Sequence, residues 1–295
     1  MKLTLKQFLL EGGKATAHLG TSRASQEDIK SVLKFLAPAL GMTYDDLANR
    51  ILGSGRLTLM GKQQDSGDLD LALAVESQDE VVKKITKLVK SEPRKIGSST
   101  FSFAVPATGS KKIQVDLMFV PSIDWAQFSH YASENSKHKS GVRNELLHST
   151  LKYSAVPGKD LIIRDKDGNL IVRVSRSYDL INGVKRVFKI AKRRKDGKGR
   201  VKGLEHVSPE EVEKTLKELG RNDEFAKDAD VILDAKTFAE MLFGRNTTEA
   251  DLQSVETLIK LIAARKDKNE IFKDAVSGIK ARGFDIPDEL KPFES

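Results

Sequence analysis

The sequence has no cysteine among its 295 residues. Disulfide bonds, cysteine-ligated zinc, iron–sulfur clusters and thiol catalysis are therefore excluded. Five histidines are present, but none has a metal-ligand spacing such as His-x-x-x-His on one helix, so we expect them on the surface or in packing. Oxygen atoms remain as the candidate metal ligands.

Long apolar runs are lacking as well. No stretch approaches the roughly 18 consecutive apolar residues of a membrane-spanning helix. The first residues contain only the short apolar stretch Phe8-Leu9-Leu10, without a small-residue cleavage site. We therefore expect a cytoplasmic protein that has no membrane partner.

Positive charge is in excess. Fifty Lys and Arg residues against forty-two Asp and Glu residues give a formal charge of +8 at pH 7 and a pI near 9.4. This balance favours polyanionic partners such as nucleic acid or nucleoside triphosphates.

The first 50 residues read as a helical segment. Apolar residues recur at helical spacing after Ser25, a candidate N-cap that Asp28 follows three residues later. Pro38 is expected to end or kink this helix. With 39% hydrophobic residues the chain can bury a sizeable core, and its length suggests two or three units.

Residues 51–155 form the second unit, in which strands and helices alternate. Period-two alternation predicts strands at 56–59, 69–75, 100–105 and 112–120. Helical periodicity predicts helices at 79–90 and 141–155. The pattern indicates an α+β fold with a small mixed sheet flanked by helices.

Residues 156–295 form an accessory region. A hairpin is predicted across 161–172, with its turn at Asp165-Lys166-Asp167-Gly168. The remainder is mostly helical, with a capping box from Ser208 to Glu211. A buried helical stripe is expected from Leu252, Val255, Leu258, Ile259 and Ile262.

The main functional signal is a pair of carboxylates. Asp68 and Asp70 lie two residues apart on a predicted strand, so both side chains point to one face. Adjacent carboxylates repel each other, and a cation normally neutralises them. Oxygen ligands suit Mg²⁺ or Mn²⁺.

A third acid, Asp116, interrupts the apolar strand 112–120. Its burial costs on the order of several kcal/mol unless it is compensated, and a metal site shared with the pair would compensate it. The alternative is that Asp68 and Asp70 are solvent-facing positions of a half-buried strand, and that Asp116 is a satisfied polar residue of the core.

Three carboxylates around two metal ions suit phosphoryl transfer. One ion activates an attacking hydroxyl and the other clamps a triphosphate, with the ions about 3.5 to 4 Å apart. The Ser66-Gly67 turn precedes the acids and can offer a hydroxyl and backbone N–H groups to phosphate oxygens.

These residues resemble the DNA polymerase β superfamily of nucleotidyltransferases. The likeness covers about residues 51–120 and consists of Gly53-Ser54, Gly61-Lys62, the acid–apolar–acid segment and a third acid on a later strand. It implies a nucleotidyltransferase core in which Asp68 and Asp70 bind both metals, Asp116 assists the metal at the primer hydroxyl, and serines touch the triphosphate.

The two glycine pairs are both candidates for binding the triphosphate. Gly53-Ser54 lies further from the first acid than the family usually has it, whereas the nearer Gly61 is followed by Lys62 and not by serine.

The segment 141–147 is similar to the helix that follows the third acid in template-using members. Arg143 and Asn144 are therefore candidates to face the incoming nucleotide, with an ordinary helix surface as the alternative. Trp125, Phe128 and Tyr131 have helical spacing, which favours core packing over base stacking.

Basic residues concentrate between Lys185 and Lys202, where ten of eighteen residues are Lys or Arg. Such a run can follow a phosphate backbone. The alternative is a solvated helix end followed by a glycine-rich loop. The candidate nucleic-acid contacts are Lys185, Arg186, Lys189, Lys192, Arg193 and Arg194.

The sequence thus predicts an enzyme that moves a nucleoside monophosphate from a ribo- or deoxyribonucleoside triphosphate to a hydroxyl on an RNA or DNA end. Mg²⁺ or Mn²⁺ is the expected cofactor, and pyrophosphate leaves. Transfer to a protein or a small molecule, and a non-catalytic nucleic-acid-binding protein on the same fold, are the alternatives.

Overall fold

A computed structural model of the chain describes residues 16–131, 138, 140–154, 161–164, 170–193, 201–221 and 231–294. The fold is α+β, as predicted. Within the described ranges the helices are α1 (Gln26–Leu40), α2 (Tyr44–Ala48), α3 (Gly53–Leu59), α4 (Gln78–Val89), α5 (Ile123–Ser129), α6 (Ser140–Tyr153), α7 (Pro209–Glu218), α8 (Ala235–Phe243), α9 (Glu249–Gln253), α10 (Val255–Ala263) and α11 (Lys268–Ala281). Short 3₁₀ turns cover Ala17–Leu19 and Asp288–Phe293.

The strands belong to two larger sheets and one short pair. The described strands are β1 (Thr21–Ser22), β2 (Ala24–Ser25), β3 (Asp65–Ser66), β4 (Leu69–Leu73), β5 (Arg94–Ile96), β6 (Thr100–Pro106), β7 (Lys112–Phe119), β8 (Leu161–Arg164), β9 (Leu170–Asp179), β10 (Gly183–Arg193) and β11 (Val201–His206). Strands β2 and β3 pair with each other.

The first sheet is mixed, and β7 is its central strand. On one side β6 pairs with β7 antiparallel, and β5 pairs with β6. On the other side β1 and β4 pair with β7 parallel, at successive stretches of its length. This sheet confirms the predicted strands at 69–75, 100–105 and 112–120 in substance.

The two faces of the first sheet have different neighbours. Leu69, Leu71 and Leu73 point to the face that the apolar sides of α1 and α4 cover. Because side chains alternate along a strand, Asp70 and Ala72 point to the opposite face, where α5 packs. The acids of this sheet therefore lie away from its larger hydrophobic core.

Helix α1 begins where the sequence predicts. Asp28 N–H donates to Ser25 Oγ at 3.2 Å and Ser25 N–H donates to Asp28 Oδ2 at 3.1 Å, so the capping box is present. Pro38 does not end the helix, which continues to Leu40 and stops at Gly41 with φ +67°. The left-handed conformation of Gly41, which glycine adopts at low cost, provides the stop.

The predicted strand at 56–59 is wrong, because this segment belongs to helix α3. Two leucines at period two are too few to exclude a helical turn. Chain segment 50–52 does lie antiparallel to β4, through the bridge between Ile51 and Leu71, before the helix begins at Gly53.

The second sheet is an antiparallel meander in the order β11-β10-β9-β8. The predicted hairpin is present as the β8–β9 pair, while its turn at Asp165–Gly168 lies outside the described residues. The reading of the basic run as a helix end is wrong, because residues up to Arg193 form β10. Burial of Val184, Arg186 and Phe188 has the period of a strand.

The C-terminal helices pack around α6. Their shared core includes Trp125 and Phe128 from α5, whose prediction as core residues is confirmed. The capping box at Ser208 is present, and the predicted stripe from Leu252 to Ile262 is buried, although it runs from α9 into α10. Among the helices of the described ranges, none has the length and apolar character to cross a membrane.

Candidate active site

Strands β4 and β7 bring the three predicted acids together. Their parallel register places Asp70 directly opposite Asp116, and Asp68 immediately precedes β4. Carboxylate oxygens of Asp68, Asp70 and Asp116 all lie within 4.8 Å of one another. Three oxygen donors this close can share a divalent cation.

The charged forms of Asp70 and Asp116 are unfavourable in the metal-free protein. Burial raises the pKa of Asp70 well above its ordinary value, and the neighbouring charges of Asp68 and Asp116 raise it further. Burial also raises the pKa of Asp116 to about 6, with Asp68 adding to the rise. A bound cation would reverse this by favouring the ionised carboxylates.

Two polar side chains of the sheet hold Asp116 in place. Ser102 lies opposite Asp116 on β6, and its Oγ donates to Asp116 Oδ1 at 2.6 Å. Gln114 Nε2 donates to both carboxylate oxygens, at 3.0 and 3.2 Å. Gln114 is itself fixed, because its Oε1 accepts from Thr16 N–H at 3.1 Å. The hydrogen bonds from Ser102 and Gln114 lower the pKa of Asp116 and so partly oppose the effect of burial.

Sequence reasoning did not identify Ser102 and Gln114. The available signal was that both are polar residues within otherwise apolar strands, Ser102 between Phe101 and Phe103 and Gln114 between Ile113 and Val115. Both side chains point to the face of Asp116, so they orient this carboxylate as neighbours of a metal ligand often do.

Gly53 and Ser54 lie beside the acids. The N–H of Leu52 donates to the carbonyl of Asp70 at 3.0 Å, which places the start of α3 next to this carboxylate. Gly53 has φ +54°, and a Cβ at this residue would lie 4.0 Å from Asp70 Oδ2. The hydroxyl oxygens of Ser54 and Ser66 are hydrogen-bonded at 2.6 Å. Gly67 links Ser66 directly to Asp68.

Gly61 and Lys62 lie at the other end of α3. Their N–H groups bond to the carbonyls of Thr58 and Leu57, as at a helix C-terminus. At a rise of about 1.5 Å per residue, a helix of this length separates them from Gly53 by roughly 10 Å. The structure thus places Gly53-Ser54 next to the acids and Gly61-Lys62 farther away.

A cavity of about 720 Å³ opens next to Gly53. Its volume is in the range of small-molecule sites. Apolar and amide side chains form much of its wall, including Leu52, Phe128, Gln127 and Gln253. The charged side chains of the lining are Arg56, Asp124, Asp234 and Glu249. Carboxylates thus predominate among the charged groups of the lining. They disfavour the binding of a polyanion and suit an uncharged group of a ligand that has many hydrogen-bond donors.

Arg143 supports the wall of this cavity from behind. Its side chain is 1% exposed, and Nη2 donates to the carbonyls of Phe128 and Ser129 at 2.6 and 2.9 Å. The guanidinium also lies 5.1 Å from the centre of the Phe128 ring. Arg143 therefore holds the C-terminal end of α5 and is not part of an ordinary helix surface. Asn144 accepts from Tyr178 Oη at 3.2 Å.

His130 lines the cavity as well, and its carbonyl faces Gly53. Burial lowers the pKa of its imidazole to about 4, so the side chain is neutral at pH 7. It therefore adds a hydrogen-bonding group but no positive charge to the lining.

The predicted nucleic-acid contacts are not all on one surface. Lys185 and Lys189 share the partly exposed face of β10, whereas Arg186 points to the opposite face, is 8% exposed and lies over the Phe188 ring. Strand alternation causes this separation, which a helical reading of the run had obscured. Lys192 and Arg193 end β10, and Arg194 lies outside the described residues.

No family model and no curated protein sequence matches the chain. The resemblance of residues 51–120 to the polymerase β superfamily therefore stays a prediction.

Proposed function

We propose that this chain is a metal-dependent nucleotidyltransferase with a polymerase β-like core. It moves a nucleoside monophosphate from a nucleoside triphosphate to a hydroxyl and releases pyrophosphate. The observation that carries this proposal is the convergence of Asp68, Asp70 and Asp116 within 4.8 Å on one sheet face. An oxygen-only donor set that resists ionisation without a cation fits Mg²⁺ or Mn²⁺.

When bound, such ions would lower the pKa of the attacking hydroxyl and neutralise charge on the leaving pyrophosphate. The protein side chains have distinct tasks around them. Asp70 and Asp116 face each other across β4 and β7 and, with Asp68, would hold the ions. Ser102 and Gln114 fix the orientation of Asp116 and help to keep it ionised.

The triphosphate is assigned to the region between the acids and the start of α3. Gly53 lacks a side chain next to Asp70, so phosphate oxygens can approach the backbone closely. Ser54, Ser66 and Gly67 supply hydroxyl and N–H donors on the same side. Gly61 and Lys62 are too far along α3 to share this task directly.

The nucleoside is assigned to the cavity that opens next to Gly53. Its amide and carboxylate side chains can accept from base amino groups and from sugar hydroxyls, while Tyr131 offers aromatic surface. The excess of carboxylates repels phosphates, which favours binding with the triphosphate directed towards the metal ions.

A label-transfer assay tests the function. The full-length protein is incubated with Mg²⁺ or Mn²⁺ and with each nucleoside triphosphate labelled at the α- or the γ-phosphate, in the presence of mixed RNA, primed DNA or no polymer. We expect α-label on an acceptor and γ-label in pyrophosphate. Asp70→Asn should abolish transfer, and Glu76→Gln, an exposed carboxylate beyond β4, should retain it.

Each other result has a distinct meaning. Transfer of the γ-label would identify a kinase, and no transfer of either label would contradict the proposed chemistry. An α-label found on protein or on a small molecule would keep the chemistry and change the acceptor.

A further inference from the structure

The second sheet has two chemically different faces. On its inner face Val172, Val174 and Phe188 pack against Val212 and Leu216 of α7, and the buried Arg186 lies on the same face. The alternate residues of β9 and β10 point outward and are partly exposed. This outer face is formed by Ile162, Arg173, Ser175, Ser177, Lys185, Val187, Lys189 and His206.

A row of basic side chains crosses the outer face. The register places Arg173 directly opposite Lys189, and Lys189 directly opposite His206 on the next strand. Lys185 lies opposite Ser177, and one outward pair, Val187 and Ser175, separates it from this row. Like charges in directly opposed positions destabilise a sheet. An anion bound over the row would remove this repulsion.

Protein carboxylates do not compensate the row. The outward positions of β9 between Arg173 and Ser177, and those of β10 between Lys185 and Lys189, carry no acid. Asp179 ends β9, but its Oδ1 accepts the N–H groups of Ile181 and Asn182 in the following turn. Within the described ranges, Arg173, Lys185 and Lys189 form no ion pair.

The second sheet is attached beside the candidate active site. Trp125 Nε1 donates to the carbonyl of Asp179 at 3.0 Å, and Ser129 Oγ donates to the carbonyl of Leu180 at 2.6 Å. Both donors belong to α5, the helix that contributes Gln127 and Phe128 to the cavity wall. The turn between β9 and β10 is therefore fixed to a helix of the cavity wall.

We propose that the outer face binds the phosphate backbone of a nucleic acid. Arg173, Lys185 and Lys189 pair with phosphates, and the hydroxyls of Ser175 and Ser177 donate to phosphate oxygens between them. The described part of this face has no Phe, Tyr or Trp side chain to stack on bases, so the contact is independent of base sequence. That this nucleic acid is the acceptor of the transferred nucleotide rests on the proposed function.

Binding of labelled oligonucleotides tests the surface without any need for catalysis. Fluorescence anisotropy is measured with the full-length protein and fluorescein-labelled single strands and duplexes of RNA and DNA, in EDTA, over a series of salt concentrations. The test variant is Arg173→Glu/Lys189→Glu. The control is Lys83→Glu/Lys87→Glu, which makes the same charge change at exposed residues of α4.

We expect the test variant to bind the oligonucleotides more than tenfold more weakly than the parent. The slope of its affinity against salt concentration should correspond to about two fewer phosphate contacts. The control should stay within about twofold of the parent. Circular dichroism melts of each variant separate a binding defect from unfolding. The neutral variant Arg173→Gln/Lys189→Gln should show a smaller loss of affinity in the same direction.

Three results would overturn the proposal: equal losses in test and control, no measurable oligonucleotide binding by the parent, or self-association of the parent that the test variant abolishes. Asp70→Asn should bind like the parent. Oligonucleotide binding without label transfer would therefore refute the proposed function alone, whereas transfer to a small molecule without oligonucleotide binding would refute this surface alone.

Discussion

Asp70 and Asp116 lie directly opposite each other on parallel neighbouring strands, with Asp68 close to both. Neighbouring strands are about 4.8 Å apart, so the backbone pairing itself fixes the separation of these carboxylates. The chain thus builds a like-charge contact into the most regular part of its fold. The cost of that contact and the groups around it determine how the protein responds to metal, pH and substitution.

Asp70→Asn should stabilise the metal-free protein and remove its response to metal. Folding forces this carboxyl either to hold a proton or to stay charged beside two other acids, and asparagine avoids both. We expect its melting temperature in EDTA to rise by roughly 2 to 4 °C per kcal/mol of repulsion removed. At a Mn²⁺ concentration of about 100 times the Kd, the free energy of unfolding of the parent should rise by about 2.7 kcal/mol. That of the variant should change little. Glu76→Gln is the control, and a parent-like Mn²⁺ shift in Asp70→Asn would exclude this site.

The metal-free protein should lose stability through Asp116 as the pH rises. The pKa of this carboxyl is about 6 when folded, against an ordinary value of 3.8. The folded chain therefore keeps a proton that the unfolded chain releases. The stability that this proton contributes is fully present below about pH 4 and is lost as the pH rises through about 6. In urea unfolding with EDTA, the free energy of unfolding of Asp116→Asn should rise relative to that of the parent across this pH range. A difference that does not change with pH would contradict the assigned pKa.

Ser102→Ala should weaken metal binding most at mildly acidic pH. The lost hydrogen bond favoured ionised Asp116, so the pKa of this carboxyl rises further and protons compete better with the metal. We expect Mn²⁺ affinity by calorimetry to fall roughly tenfold at about pH 6.5 and less at about pH 8. Ser102→Thr should recover part of the loss, and exposed Ser98→Ala should have no effect. An equal loss at both pH values would indicate a purely structural role.

Gly53→Ala and Gly61→Ala should separate the two candidate triphosphate glycines. Both residues have positive φ, so alanine costs each on the order of 1–2 kcal/mol of stability. Only at Gly53 would the added Cβ lie close to Asp70 Oδ2, at 4.0 Å. We expect Gly53→Ala to raise the KM for the nucleoside triphosphate severalfold, and Gly61→Ala to leave it unchanged. A higher KM in Gly61→Ala alone would move the triphosphate to the other end of α3.

Much of this site follows from local sequence. Asp68 and Asp70 are two residues apart on a strand, and their shared direction needs no knowledge of the remaining fold. Asp116 was identified because an acid within an apolar strand needs compensation. What the sequence does not provide is the register between β4, β6 and β7, so the bonds from Ser102 and Gln114 to Asp116 appear only in three dimensions.

Errors in the sequence interpretation have specific physical causes. The segment 56–59 was too short for its period to be decisive, and α3 occupies it instead. The basic run had enough charge to hide its period-two burial, so Arg186 was grouped with Lys185 and Lys189 although it faces the opposite side. The cavity was not foreseen, because α3, α5 and the segments around α8 and α9 each provide only part of its wall.

The most direct test is the location of bound metal. Crystals grown with Mn²⁺ and a nucleoside triphosphate blocked against α–β cleavage would be measured at the manganese absorption edge. We predict anomalous peaks within about 2.2 Å of carboxylate oxygens of Asp68, Asp70 and Asp116, with the triphosphate bridging them and the nucleoside in the cavity. Manganese bound elsewhere, or a nucleotide bound away from these acids, would contradict the assignment of this site.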